Sequence, residues 1–100
     1  MKDYEGLTAG LPQAKLGKMF GLPALMVGKK SLSCFETKTG SAVFKLPSPT
    51  REAALALAGA HMYDPAGMGR AMKEWIVVPA AHVAQWPKFA EAAYRYLTAE

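Results

Sequence analysis

One hundred residues, 51% of them hydrophobic and 20% charged, suffice for one small domain and exclude a disordered chain. The formal net charge of +4 sits in the first half, where seven lysines face Asp3, Glu5 and Glu36, while residues 51–100 are balanced, an asymmetry that points to an anionic partner. A single cysteine excludes an intrachain disulfide, and no apolar run nears the roughly 18–20 residues of a membrane span.

Tyr4, Leu7 and Leu11 recur at helical spacing behind Asp3, a candidate N-cap, and Gly10 and Pro12 mark the stop of a short first helix. From Ala14 to Leu46 four runs follow: AKLGKMF, PALMV, SLSCFET and SAVFKL. Short turn signals at Gly21-Leu22-Pro23, Gly28-Lys29-Lys30 and Lys38-Thr39-Gly40 separate them, which predicts a four-stranded antiparallel meander. In the fourth run Ala42, Phe44 and Leu46 alternate with Ser41, Val43 and Lys45, as in a sheet with one buried face. SPTREAALALAG predicts a helix with Ser48 as cap, Pro49 at its first position and Gly59 as stop.

HMYDPAGMGRA then reads as a loop, and MKEWIVV, ending before Pro79, as a fifth strand dense in β-formers. PKFAEAAYRYLTA closes the chain as an amphipathic helix. Phe89, Ala93, Tyr96 and Leu97 form its apolar stripe, and Glu91 pairs with Arg95 on the polar side. The fold class that follows is α+β, two-layered, with an antiparallel sheet of about five strands and helices packed on one face.

GMGRAMKEW carries two glycines one residue apart, but they follow a helix and precede a strand. A phosphate-binding glycine loop needs the reverse order, so the glycines serve a tight loop. Cys34, His61 and His82 have no metal-ligand spacing, and Cys34, mid-strand beside Phe35, reads as a buried and inert thiol. The carboxylates are scattered singly. No catalytic residue, cofactor or metal is expected, and a domain this small has little core left for a deep pocket.

The lysines are the exception. Alternate turns of a meander share one end of the sheet, so Lys15, Lys29, Lys30 and Lys45, with Arg51 just beyond, are expected along one edge about 15–20 Å across. Two readings stay open for them: a solvated rim, or a surface that contacts an anion or nucleic acid. No aromatic residue interleaves with these lysines in the sequence to stack bases.

Three segments carry a family resemblance: KMFGLPALMVGKKSLSCF (Lys18–Phe35), FKLPSPTREAAL (Phe44–Leu55) and YDPAGMGRAMKEWIVVP (Tyr63–Pro79). Together they resemble the N-terminal domain of TfoX/Sxy proteins, and more narrowly the small single-domain TfoX-like proteins of bacteria. The matching residues are Met19, Phe20 and Gly21 after the first strand, the Gly28-Lys29 turn, Lys45-Leu46-Pro47, and then Gly69, Arg70, Met72, Lys73 and Trp75 entering the last strand, with Trp86-Pro87 before the final helix. Ala71 departs from the proline common at that position.

The resemblance implies a two-layer α/β domain with an antiparallel sheet. It also implies relation to regulators of natural competence, without their C-terminal domain. It transfers no catalytic residue. The expectation is a non-enzymatic binding or regulatory module acting through a protein partner or as a homodimer. The alternative is nucleic-acid contact along the lysine edge. MKDYEGLTAG lacks the apolar core of a signal peptide, so the default location is cytoplasmic, with no membrane partner. Trp75 is expected to pack beneath a helix, and Arg70 to satisfy carbonyls or to pair with Asp64.

Overall fold

The computed structural model describes residues 2–19, 21–64 and 72–99. Six strands form one antiparallel sheet: β1 (Ala14–Met19), β2 (Leu22–Val27), β3 (Lys30–Glu36), β4 (Ser41–Lys45), β5 (His61–Tyr63) and β6 (Met72–Val78). Their spatial order is β1-β2-β3-β4-β6-β5, so the last strand inserts between the meander and a short edge. Helix α1 (Lys2–Glu5) runs into a 3-10 turn at Gly6–Gly10, α2 (Thr50–Leu55) links β4 to β5, and a 3-10 segment at Ala80–Gln85 leads into α3 (Trp86–Thr98).

The four predicted meander strands form as expected, with short hairpin turns between them. Gly28 supplies a φ of 62° between β2 and β3, a backbone that side chains disfavour. HMYDPAGMGRA is corrected in part, because its first three residues form β5 along β6. Three residues are too few to show a period, so only the ladder defines that strand. Two cap assignments also change. Asp3 lies within the first turn of α1, and Pro49 occupies the cap of α2, while Ser48 Oγ donates to Glu52 Oε2 at 3.0 Å.

The main core lies between the sheet and the helices. Leu25, Phe35, Phe44 and Ile76 meet Trp86, Phe89 and Ala93 of α3, and Tyr4, Leu7 and Leu11 close the same layer from the N-terminus. A β-bulge makes this possible at the centre of β3. Leu25 pairs with Ser33 and Met26 with Ser31, which leaves Leu32 as the extra residue. Consecutive Leu32 and Ser33 therefore both serve the helix side: Leu32 packs in the core, and Ser33 Oγ accepts a hydrogen bond from Tyr4 Oη at 2.9 Å. Ser33 Oγ in turn donates to the Val43 carbonyl at 2.6 Å.

The expectation of one buried face for β4 is also corrected. Ala42 and Phe44 face the helices, but Val43 is buried too, in a second cluster with Ala24, Cys34, Tyr63 and Val77. Met19, Leu22, Met26 and Trp75 pack against that cluster. Trp75 thus belongs to the face away from the helices, not beneath one. The cause is strand alternation: Ile76 takes the helix side, so its neighbour must point the other way.

Candidate functional site

The hairpin register gathers the basic residues at one end of the sheet, because Ala14 pairs with Val27 and Val27 with Lys30. It does not bring all of them onto one face. Lys15 pairs with Met26, which packs on the second cluster, and Lys30 pairs with Val27, which packs on the main core. Lys15 and Lys29 are exposed. Lys30 and Lys45 do converge, on a groove of about 380 Å³ that Ser31, Trp75, Tyr96 and Leu97 complete.

Each wall of this groove has a local cause. Lys45 ends β4 opposite Trp75 on β6, and the last turn of α3 carries Tyr96 over that strand end. Lys45 Nζ lies 5.8 Å from the centre of the Tyr96 ring, within cation–π range. Tyr96 Oη donates to Glu74 Oε2, which holds the ring in place. Glu74 is in turn 3.8 Å from Arg51 Nη2, and Arg51 Nε donates to the Leu46 carbonyl at 3.1 Å. Arg51 is therefore a brace between α2 and β6 whose charge Glu74 offsets, rather than a fifth cation facing solvent. Sequence reasoning missed Tyr96 as a groove residue, because its place in an apolar helical stripe signals core.

The other residues of the family pattern occupy turns and packing positions. Met19 Sδ accepts from Ser31 Oγ at 3.1 Å, and Gly21 turns β1 into β2 with a φ of 77°. Met72 and Lys73 enter β6 through the backbone. Phe20, Gly69 and Arg70 lie outside the described residues, as do Ala71 and the Arg70–Asp64 pairing.

At the opposite end of the sheet a second cleft, of about 580 Å³, is lined by Glu36, Lys38, Ser41, His61 and Tyr63 among others. Beneath it Tyr63 and Cys34 pack together in the second buried cluster. Burial pushes Cys34 up to about 11, and the nearby Glu36 carboxylate adds to this, although the Tyr63 hydroxyl opposes it. Burial likewise raises Tyr63 to about 12, with Cys34 and Glu36 contributing. A thiol this protonated at neutral pH is a poor nucleophile.

His61 Nδ1 lies 3.0 Å from the Gly59 carbonyl, which can only accept, so the ring proton sits on Nδ1. His82 Nε2 is tied in the same way to the Ala58 carbonyl at 2.9 Å. Among the described residues no group of three His, Cys, Asp or Glu side chains could hold a metal ion. No helix among them is long and apolar enough to cross a membrane.

No protein-family model, curated protein or solved structure matches the chain. What this arrangement can do is therefore read from its own chemistry. One end offers cations beside aromatic rings, the other a protonated thiol under a tyrosine, and β1 ends the strand order among the described residues.

Proposed function

We propose that this chain is a non-enzymatic binding and regulatory module of the TfoX N-terminal type, which acts by taking an extended segment of a protein partner along β1. The supporting observation is the edge itself. β1 is six residues long and ends the strand order, so its outer backbone faces no other strand among the described residues. Leu16 on this strand is 46% exposed, and Lys15 and Lys18 beside it are exposed as well. Such an edge takes an added strand through main-chain hydrogen bonds, and the side chains on it set the preference.

The lysines indicate which partner. A second copy pairing through β1 would bring four lysines into one two-stranded ribbon, and facing like charges are destabilising. An acidic segment meets the same lysines with opposite charge. A protein partner is thus favoured over self-association. The inert Cys34 thiol agrees with a role that needs no nucleophile.

An amide NMR titration with an alternating Val/Glu hexapeptide tests this reading. Shifts should concentrate on Ala14–Met19, weaken with a Val/Lys peptide, and weaken sharply in a Lys15→Glu/Lys18→Glu variant, whose exposed sites leave the fold intact. Sedimentation over a wide concentration range should show a monomer. A dimer that Leu16→Lys dissociates would favour self-association instead, and absence of β1 shifts at millimolar peptide would refute strand addition.

A further inference from the structure

The cleft of about 580 Å³ at the far end of the sheet has no role in the β1 edge, because it lies across β3, β4, β6 and β5. We infer that this cleft binds a small organic amine, with its ammonium on Glu36 and its apolar body over Val77 and Pro79. Strand pairing puts these groups on one face. Cys34, Val43 and Val77 mark the face away from the helices. Glu36 follows Cys34 by two positions and pairs with Ser41, Ser41 precedes Val43 by two, and His61 pairs with Val77. The order β3-β4-β6-β5 sets Glu36 and His61 three strand intervals apart, about 14 Å. Val77 and Pro79 line the same cleft between them, so a ring-sized body has room and an apolar floor.

The polar groups at the two ends give the cleft its preference. Glu36 Oε1 accepts the Lys38 amide at 2.9 Å, which anchors the carboxylate at the β3–β4 turn. Among the described residues no other group donates to Glu36 and no ion pair offsets it. His61 Nδ1 holds the ring proton against the Gly59 carbonyl, which leaves Nε2 as an acceptor at the other end. A carboxylate and a ring acceptor above an apolar floor favour a cation with an apolar body. A few placed polar groups on an apolar lining, in a volume of this size, are the usual form of a small-molecule site.

Two donors stand beside Glu36. The Lys38 side chain is exposed, and Ser41 Oγ accepts from Thr39 Oγ1 at 2.9 Å and so keeps its own proton to donate. They would hold a carboxylate carried by the same ligand. An ammonium on an apolar body therefore has two sources, a simple amine and an α-amino acid, which the experiment must separate.

Titration of the full chain with 2-phenylethylamine, phenylalanine, 2-phenylethanol and 3-phenylpropionate makes that separation. The readouts are amide shifts and the His61 ring protons. Shifts should gather at Glu36, Ser41, His61 and Val77 and leave Ala14–Met19 unmoved. The two ammonium compounds should bind at least about fivefold more tightly than the alcohol and the propionate. Phenylalanine binding more tightly than the amine identifies an amino acid, and Lys38→Gln should then remove the difference. Equal or tighter binding of the amine identifies a simple amine.

Glu36→Gln keeps an acceptor for the Lys38 amide, and so the turn, and should weaken the preferred ammonium ligand at least about fivefold while the thermal midpoint stays close to that of the parent. The alcohol and propionate arms need no variant, so the test stays valid if Glu36→Gln does not fold. The alcohol binding as tightly as the amine would overturn the assignment. So would no shift at the cleft with millimolar amine or phenylalanine, or a folded Glu36→Gln protein with unchanged affinity. None of these outcomes depends on the β1 peptide titration.

Discussion

Tyr4 is joined to the sheet by a buried chain of two hydrogen bonds, and removing its links one at a time gives unequal costs that can be worked out in advance. Tyr4 Oη donates to Ser33 Oγ at 2.9 Å, and Ser33 Oγ donates to the Val43 carbonyl at 2.6 Å. Both residues are fully buried. Burial also holds the Tyr4 phenol well above its ordinary pKa, so it remains a donor at any working pH. Tyr4→Phe removes that donor and leaves Ser33 with its own bond to Val43, a loss of about 0.5–1.5 kcal/mol. Ser33→Ala is worse, because it strands the Tyr4 hydroxyl in the core without an acceptor, at about 1–3 kcal/mol.

The double variant leaves no stranded hydroxyl and loses only the Ser33 bond to the Val43 carbonyl, so its cost should fall below the sum of the single costs by about 1 kcal/mol. Urea unfolding in a Trp75→Phe background, followed by the fluorescence of Trp86, measures all three. That ring stands edge-on to Tyr4 with centroids 6.5 Å apart, and so reports the same contact. In thermal melts each kcal/mol should appear as about 4–8 °C for a domain of this size. Additive single costs, or Tyr4→Phe costing as much as Ser33→Ala, would refute the hydrogen-bond chain.

Two further outcomes rest on local geometry. The folded Cys34 thiol titrates at about 11 against an ordinary value of 9.0, so its contribution to stability is complete below pH 9 and is lost as pH rises from about 9 to 11. That loss amounts to about 2–3 kcal/mol, so Cys34→Ala should flatten the decline in urea stability over this interval, and an unchanged slope would contradict the burial argument. Gly59 and Gly28 both have positive φ, 83° and 62°, but a Cβ at Gly59 would lie 3.2 Å from Pro79 Cγ whereas Gly28 faces open space. Both alanine variants should lose about 1–2 kcal/mol of stability from backbone strain. Gly59→Ala should lose more in thermal melts, and equal losses would rule out the Pro79 contact as a cause.

The sequence by itself determined the parts of this protein whose causes are local. Glycine turns and alternating runs placed β1 to β4 correctly. The Phe89, Ala93 and Leu97 spacing placed α3, including the Glu91–Arg95 pair at 2.6 Å. Tyr4, Leu7 and Leu11 were legible as one buried set, although only Tyr4 lies in an α-helix, Leu7 being in the 3-10 turn and Leu11 extended, and Cys34 was legible as a buried thiol. Turn conformation and amphipathic period act over a few residues, so neighbouring residues suffice to reveal them.

Tertiary structure alone decided the rest. β5 exists only as a ladder on β6. Trp75 turned away from the helices because Ile76 faced them, and Val43 became buried because the second face of the sheet also carries a cluster. The lysine edge was half legible. Hairpin connectivity put Lys15, Lys29, Lys30 and Lys45 at one end, but pairing parity sends Lys30 to the helix side and Lys45 to the Trp75 side, and only the docking of α3 over the strand ends gives Lys30 and Lys45 a common groove. Tyr96 joined them from 51 positions beyond Lys45 in the chain, brought there by the docking of α3 on the sheet. Such a meeting depends on strand register and helix docking, which no stretch of neighbouring residues encodes.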